Sequence, residues 1–261
     1  MISLLAFLLL ADFRFVILGD RTGDTRSGVY EEVWKETAAD HPAFVINAGD
    51  TIQGGDDASA DREWRSVKRI LAPYSAIPFY LTPGNHDIWS ELSERLFAKY
   101  AGRQPHYSFD REQVHFTILD NSRDEEFSAA ELAFLEADLE AHKSQPLKFI
   151  VSHRPSWLVR ILLRNPQDPV HLLAKKYGVQ YVISGHVHLM IHASFEGVEY
   201  FSMPSAGGHL RGTEKYEDGW FFAHTLVEVD NAGTHFHIKE IKPAARVTTP
   251  ADWGPSGLLH H

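Results

Sequence analysis

The hydrophobic residues of this chain fall into short runs that end abruptly at polar positions. Five runs rich in Val, Ile, Phe or Tyr stop at Gly or a polar residue, as is typical of strands buried on both faces. Loops that leave neighbouring strands converge at one edge of a sheet, so the polar residues after these runs are predicted to form one cluster. The runs and the residues that follow are Phe13–Leu18 with Gly19-Asp20, Phe44–Asn47 with Gly49-Asp50, Phe79–Thr82 with Gly84-Asn85-His86-Asp87, Phe149–Val151 with Ser152-His153, and Tyr181–Ile183 with Gly185-His186-Val187-His188.

Amphipathic helices are predicted between these strands. Apolar residues recur at helical spacing, and polar residues that favour helix starts precede some of the segments. Ser128 and Glu131 match the capping-box pattern, and Gly178 is a typical helix end. The predicted helices are Ser27–Ala39, Ser59–Leu71, the segment after Ser128, and Val170–Tyr177.

After Met190 the pattern changes to strands alone, and an earlier segment has the pattern of a hairpin. Strands and helices alternate first and a run of strands follows, which predicts an α/β fold with two mixed sheets. The predicted architecture is a four-layer α/β/β/α sandwich with the helices outside. The additional strands are Ile191–Phe195, Val198–Phe201, Phe221–Val229 and His235–Ile241, and the hairpin spans Tyr107–Leu119.

Length and composition favour one domain. The chain has 261 residues, of which 44% are apolar, and no linker or repeat interrupts it, so residues 12–245 are predicted to form a single domain followed by a tail, 246–261. Residues 1–11 are almost wholly apolar but too short to span a bilayer as a helix. They are either an export signal or a native strand or helix, so the protein is expected to be exported in the first case and cytoplasmic in the second.

Charge and cysteine content limit the possible partners. A formal charge of -10 opposes binding along a nucleic-acid backbone or an anionic membrane, because both need a basic surface. With no cysteine, disulfides and thiolate chemistry are excluded, and only oxygen and imidazole ligands can hold a metal.

A pair of metal ions needs a shared carboxylate and a mixture of His and carboxylate ligands, and Asp50 is the natural bridge. His186 and His188 could serve both ions if the turn after their strand breaks its alternation. His235 and His237 have the same spacing, but they are interpreted as one face of an ordinary strand. Further histidines are interpreted as structural or exposed: His41, His106, His115, His142, His171, His192 and His224.

The ordered motifs of the five loops resemble those of the calcineurin-like metallophosphoesterase superfamily, which includes purple acid phosphatases, protein phosphatases and many phosphodiesterases. The most specific are Gly84-Asn85-His86-Asp87 and Gly185-His186-Val187-His188. The segments Tyr107–Asp110 and Ile118–Asp120 are also similar to the purple-acid-phosphatase-like branch.

The resemblance implies two divalent metal ions, such as Mn, Fe or Zn, bridged by Asp50. It implies that Asn85, His153 and His186 complete one site and that Asp20 and His188 complete the other. His86 would assist the leaving group, with Asp87 fixing its orientation, and a hydroxide held by the metals would attack a phosphate mono- or diester.

Two positions depart from the family's motifs. The family usually has His two residues after the first Asp, where this chain has Thr22. Purple acid phosphatases have a Tyr that binds ferric iron three residues after the bridging Asp, where this chain has Gln53. We therefore expect a site short of one imidazole near Asp20 and no ferric chromophore.

Residues beside the ligands have alternative interpretations. Arg21 and Arg154, with Asn85, could bind the phosphate of the substrate, or the two arginines could pair with surplus acidic residues. Trp89 and Trp157 could stack on a flat group or simply pack at the rim. The leading prediction is a hydrolase of phosphate esters, and the alternative is a weak or inactive relative that serves as a binding scaffold.

Overall fold

The computed structural model describes residues 12–253, whose strands form two mixed sheets of six strands each. The sheet orders are β12-β11-β10-β1-β2-β3 and β4-β5-β6-β7-β9-β8, in the numbering that follows. In chain order the elements are β1 (Phe13–Leu18), α1 (Val29–Ala39), β2 (Val45–Asn47), α2 (Asp57–Leu71), β3 (Phe79–Leu81), α3 (Glu91–Ala101), β4 (Tyr107–Arg111), β5 (Val114–Ile118), α4 (Ala129–Ala141), β6 (Leu147–Val151), α5 (Leu158–Leu162), α6 (Pro169–Tyr177), β7 (Tyr181–Ser184), β8 (Ile191–Phe195), β9 (Val198–Ser202), β10 (Ala223–Asp230), β11 (Gly233–Glu240) and β12 (Val247–Thr248).

Each sheet contains three consecutive parallel strands. In the first sheet β1, β2 and β3 run parallel, and in the second β5, β6 and β7 do so. The loops after these strands therefore leave from the same edge of each sheet. Because the sheets pack face to face, the two edges bring the polar residues after five of these strands to one end of the molecule.

The core between the sheets is rich in aromatic rings. The ring of Phe15 lies 4.9 Å from that of Phe44 beside it, and 5.3 and 5.6 Å from those of Phe116 and Phe149 in the opposite sheet. All four side chains are buried. Burial of each such side chain contributes roughly 1.5–3 kcal/mol to stability, so the face that each of these strands turns toward the opposite sheet is apolar.

Helices cover the outer faces, so the predicted four-layer sandwich is confirmed. Trp34 of α1 packs against Val16 and Val45 of the first sheet. On the second sheet, Leu135 and Leu139 of α4 share a buried cluster with residues of α5 and α6. The predicted helices and the hairpin are present with small shifts of their ends, whereas α3, α5 and β12 are not among the predicted elements.

Only half of the predicted capping box at α4 is formed. The Ser128 side chain accepts a hydrogen bond from Glu131 N, as predicted. The Glu131 carboxylate instead accepts hydrogen bonds from Asp120 N at 2.7 Å and faces His106 Nδ1 at 2.9 Å. It therefore ties α4 to the loop after β5 rather than to its own helix start.

The packed domain extends beyond the predicted boundary at residue 245. Strand β12 pairs with β11, and Trp253 is buried in the core between the sheets. The predicted tail is thus part of the fold at least as far as Trp253. The apolar segment 1–11 and residues 254–261 lie outside the described residues. No helix within residues 12–253 is long and apolar enough to cross a membrane.

Candidate metal centre

The predicted ligands meet where the two sheets' parallel strands end. Ligand atoms of Asp50, His153 and His186 all lie within 4.8 Å of one another. His153 Nε2 is 3.2 Å from Asp50 Oδ2, 3.1 Å from Asn85 Oδ1 and 3.2 Å from His186 Nδ1. Asp50, His153 and His186 follow the ends of β2, β6 and β7, and Asn85 lies in the loop after β3. These four residues form the first half of the centre.

Asp20 and His188 form the second half. His188 Nε2 lies 3.2 Å from Asp20 Oδ2, and both side chains are fully buried. The Asp20 carboxylate also accepts hydrogen bonds from the backbone N–H of His186, at 2.8 and 3.1 Å to its two oxygens. One carboxylate from the first sheet therefore holds the loop of the second sheet that carries both histidines.

Three of the predicted ligands have left-handed backbone conformations, which are uncommon for residues other than glycine. The φ angles are 55° at Asp50, 69° at His186 and 60° at His188. Such conformations cost of order 1–3 kcal/mol each and cluster at functional sites. At His186 and His188 they break the alternation of β7, as the sequence pattern required for both side chains to reach the centre.

Two glycines permit the close approach of backbone to ligands. A Cβ at Gly84 would lie 2.1 Å from Asp50 Oδ1, and one at Gly185 would lie 2.5 Å from Asp20 Oδ1. Either side chain would collide with a ligand, so only glycine fits at these positions. This is the physical reason for the glycines that precede the ligand motifs.

Two imidazoles are held from behind. His153 Nδ1 faces the Ala48 carbonyl oxygen at 2.9 Å, and His188 Nδ1 faces the His209 carbonyl oxygen at 2.6 Å. When Nδ1 carries the proton and donates it to these carbonyls, the lone pair of Nε2 points into the cluster. A carbonyl or carboxylate behind a histidine is the usual support of a metal ligand.

Unpartnered polar atoms show that this donor set suits a cation. Asp50 Oδ2 and His188 Nε2 are buried and have no partner with hydrogen-bond geometry among the described residues. Each lies close to another predicted ligand, Asp50 Oδ2 to His153 and His188 Nε2 to Asp20. A buried polar atom without a partner costs free energy, and a bound metal ion would satisfy both atoms.

The electrostatics of the cluster favour a carboxylate beside a cation. Burial opposes the charge on Asp50, but His153 outweighs burial and holds the pKa of Asp50 below its usual range. Burial likewise opposes a charged His153, yet Asp50 raises the pKa of His153 to about 9. Burial and the charge of His153 lower the pKa of His186 to about 4. Metal binding to His153 must therefore displace a proton.

His86 stands at the open side of the cluster. Its ring is partly exposed, and its Nε2 lies 4.0 Å from Asp50 Oδ2. His86 Nδ1 is 2.5 Å from the Gln53 carbonyl oxygen. This contact fixes the ring and leaves Nε2 on the side of Asp50, where it could exchange a proton with a bound molecule.

The predicted contact between Asp87 and the His86 ring is wrong. Asp87 is fully buried, and its carboxylate accepts hydrogen bonds from Thr51 N, Ile52 N and Gly84 N at 2.9–3.1 Å. Burial and the charge of Asp50 raise the pKa of Asp87 to about 7. Asp87 thus supports the loops that carry Asp50 and His86, and the Gln53 carbonyl orients the His86 ring in its place.

A family model confirms the assignment suggested by the motifs. The model of the calcineurin-like phosphoesterases matches residues 13–190, which include all six predicted metal ligands. The chain belongs to this family. Together with phosphodiesterase-named relatives, the match makes the protein a phosphoric ester hydrolase.

Relatives of this phosphoesterase include proteins named as cyclic nucleotide phosphodiesterases. A probable cyclic nucleotide phosphodiesterase of Rhodopseudomonas palustris is 27% identical over 265 residues, covering 88% of this chain and 90% of the relative. A cyclic adenosine monophosphate phosphodiesterase of Escherichia coli is 28% identical over 172 residues, covering 62% of this chain and 60% of the relative.

Two solved structures share the fold. A purple acid phosphatase from yellow lupin seeds superposes with a TM-score of 0.67 and 15% identity, over 92% of this chain and 53% of that one. The Plasmodium protein GAP50, described as the anchor in the inner membrane complex, gives 0.63 and 16% over 91% of this chain and 88% of its own.

The two residues that depart from the family's motifs are bonded to each other. Thr22 is buried, and its hydroxyl donates to Gln53 Oε1 at 2.5 Å. Gln53 Oε1 also accepts from Asp24 N at 3.3 Å, while the Asp24 side chain is exposed. A neutral hydrogen bond thus joins the two positions at which this chain departs from the expected motifs.

This bond predicts a difference in affinity between the two predicted ligand sets. Because the Thr22 hydroxyl is committed to Gln53 and is a poorer ligand than imidazole, we expect the half with Asp20 and His188 to bind its ion more weakly. Calorimetric titration of the metal-free protein should give two separate steps for the ligands of this centre, with activity rising well after the first. Thr22→Val should leave both steps in place, and two equally tight steps would contradict the inequality.

The predicted substrate arginines differ in their surroundings. The Arg154 guanidinium contacts Glu125 and the Ser122 carbonyl oxygen, and its charge helps to lower the pKa of His186, after burial and His153. Arg154 therefore lies beside the first half of the centre. Arg21 donates to the Thr51 carbonyl oxygen at 3.0 Å and lies over the Tyr30 ring, and it has no acidic partner among the described ion pairs.

The two tryptophans next to the ligand loops pack within the protein. Trp157 is buried in the cluster under α4–α6, and its indole N–H donates to Ser184 Oγ at 3.1 Å. Trp89 is half-buried and packs against the cluster of α2 and α3. Packing is therefore the role that the structure gives to Trp157.

Two asparagines that the sequence pattern did not indicate brace the ligand loops. Asn121 Oδ1 accepts from His153 N and Arg154 N, and its amide donates to the Arg154 carbonyl oxygen. Asn47 Nδ2 donates to the Gly19 carbonyl oxygen, and its Oδ1 accepts from Gly49 N. Their position at strand ends was the available signal, but only the fold shows which backbone groups they bind.

Proposed function

We propose that this protein hydrolyses phosphodiesters of the cyclic nucleotide class at a centre that holds two divalent ions. The observation that carries the proposal is the cluster of Asp50, His153 and His186 beside a partly exposed histidine, His86, with the Asp20–His188 pair bonded to the loop that carries His186. Relatives named as cyclic nucleotide phosphodiesterases, one of them similar along most of the chain, support the choice of substrate.

The ligands divide into two sets. Asp50, Asn85, His153 and His186 would hold one ion, and Asp20 and His188, with Asp50, would hold the other. Oxygen and imidazole donors suit Mn, Fe(II) or Zn. Bound divalent ions would lower the pKa of water and offset the negative charge that gathers on the phosphoryl oxygens.

The side chains around the ligands would then act on the substrate. The leaving group of a cyclic nucleotide is a ribose oxygen, which departs poorly as an alkoxide and needs a proton. His86 Nε2 lies on the side of Asp50 while Nδ1 is held by the Gln53 carbonyl oxygen, so His86 would donate that proton. Arg154, beside His186, would contact a phosphoryl oxygen once it exchanges the exposed Glu125 for the substrate.

A substrate panel tests the proposal. The purified protein, supplied in turn with Mn, Zn, Fe(II), Co and Ni, is assayed on cyclic AMP, bis(p-nitrophenyl) phosphate and p-nitrophenyl phosphate. We expect turnover of cyclic AMP to AMP and of the bis ester, with less of the monoester. Turnover of the monoester alone would reject the diester proposal, and no turnover with any metal would support the scaffold alternative.

A further inference from the structure

A second group of histidine and carboxylate side chains lies on the outer face of the second sheet. Asp110 in β4, His115 in β5 and His142, which ends α4, place ligand atoms within 4.8 Å of one another. His115 is next to the first residue of β5, whereas the predicted metal ligands follow the carboxyl ends of the strands. The two groups therefore lie at opposite ends of the sheet.

The far nitrogens of both imidazoles are held by one residue of α4. His115 Nε2 is 2.9 Å from Asp138 Oδ2, and His142 Nδ1 is 2.8 Å from the Asp138 carbonyl oxygen. The near nitrogens face Asp110: His115 Nδ1 is 2.7 Å from Oδ1, and His142 Nε2 is 4.0 Å from Oδ2. The rings stack at 3.9 Å, so these two nitrogens lie side by side.

The carboxylate of Asp138 supports the His115 ring. It is almost fully buried, and its carboxylate also accepts hydrogen bonds from Ser108 Oγ and Thr117 Oγ1, both at 2.7 Å. A buried carboxylate behind an imidazole fixes its tautomer and raises its basicity, which is the usual outer support of a histidine that binds a metal.

The charges in this group favour a cation. Two carboxylates, Asp110 and Asp138, meet here, and among the described ion pairs neither has a Lys or Arg partner. Lys148, the neighbour of His115 in the strand register, is buried and directs its ammonium to the carbonyl oxygens of Lys143 and Gln145. The negative charge is thus balanced only by histidine.

We propose that Asp110, His115 and His142 bind a divalent transition-metal ion of the zinc class, separate from the phosphoesterase centre. Two imidazoles and one carboxylate are a common protein donor set for zinc. The side chains of Asp110 and His142 are 41% and 31% exposed, so an ion can enter from solvent and water can complete its coordination. This proposal replaces the interpretation of His115 and His142 as merely structural or exposed residues.

Binding exchanges a proton for the ion. Burial opposes charge on His115, but hydrogen bonds to Asp138 and Asp110 outweigh it and raise the pKa of His115. Without an ion, the His115 ring bridges the two carboxylates. When the ion binds Nδ1, the proton leaves to solvent, and the Nε2 proton stays on the Asp138 side. Affinity therefore increases with pH, and the test is made at pH near 8.

The test counts bound zinc in the full chain. In every sample His260 and His261 are replaced by Ala, so that paired histidines at the end of the chain add no signal. The protein is stripped with a chelator and titrated with zinc chloride, with elemental analysis after gel filtration. His142→Gln and Asp110→Asn are compared with His106→Gln, a histidine that also contacts a carboxylate of α4, that of Glu131.

We expect His142→Gln and Asp110→Asn to bind one equivalent less than the parent, and His106→Gln to match the parent. Asp138→Asn should weaken the same equivalent by about 10- to 100-fold. Hydrolysis at saturating metal should be unchanged in His142→Gln, Asp110→Asn and His106→Gln, because none of these residues belongs to the phosphoesterase centre. Zinc should also raise the melting temperature of the parent more than that of His142→Gln.

Equal zinc content in the parent, His142→Gln and Asp110→Asn would overturn the proposal. The role of this group would then be the bridge that His115 forms between the carboxylates of Asp110 and Asp138. Loss of an equivalent in His106→Gln as well would show non-specific binding. Asp110 is well exposed, so Asp110→Asn provides the count even if the change at the helix end disturbs folding.

Discussion

Asp50→Asn should empty the phosphoesterase centre of metal and reduce hydrolysis to the background rate. Asp50 is the carboxylate predicted to belong to both ligand sets, and asparagine removes its charge while keeping an oxygen that can accept the hydrogen bond from His86 N. Asparagine also tolerates the left-handed backbone at this position. The expected loss thus reflects ligand chemistry and not a collapsed loop.

Elemental analysis and an assay at saturating metal measure this effect. Asp168→Asn is the matched control, because Asp168 is also a buried carboxylate but caps α6, and its described partners, His171 and Arg160, are not predicted ligands. Asparagine is an equally good helix cap, so this variant should keep its metal and its rate. Full metal content and a near-normal rate in Asp50→Asn would reject the binuclear proposal.

His86→Asn should slow hydrolysis of esters with basic leaving groups by about 10²- to 10⁴-fold, the usual contribution of a general acid. Its Nε2 lies on the side of Asp50, and its Nδ1 is held by the carbonyl oxygen of Gln53, so the ring is positioned for proton transfer. On p-nitrophenyl esters, whose leaving group needs no proton, the loss should be smaller. Metal content should hardly change, since His86 is not among the predicted ligands.

Rates for cyclic AMP and for bis(p-nitrophenyl) phosphate, compared between the variant and the parent, measure this difference. His41→Asn is the control, because His41 is an exposed histidine outside the centre. Equal losses on both substrates would show that His86 positions the phosphate and does not donate a proton. A loss of metal would place His86 among the ligands.

Burial patterns were readable from the sequence because they follow from local chemistry. The runs that became β1, β2, β3, β6 and β7 lack a polar face since both of their faces are covered, and this gave the strands and the two-sheet class. Strand β12 was missed because two residues carry too little pattern. It exists through its pairing with β11 and the packing of Trp253.

The sequence by itself determined which residue types meet: strand ends that carry Asp, Asn and His, preceded by glycines that no other residue can replace. Only the tertiary structure decided how their partners are arranged. Asp87 follows His86 directly, yet its carboxylate accepts hydrogen bonds from three backbone N–H groups. The Gln53 carbonyl oxygen supports the His86 ring instead. Likewise Thr22 and Gln53, far apart in sequence, bond to each other, and Asp138 reaches His115 across α4 and β5. Adjacency in sequence gives proximity of backbone, but the direction of a side chain depends on which buried donors and acceptors the packed elements leave unpaired.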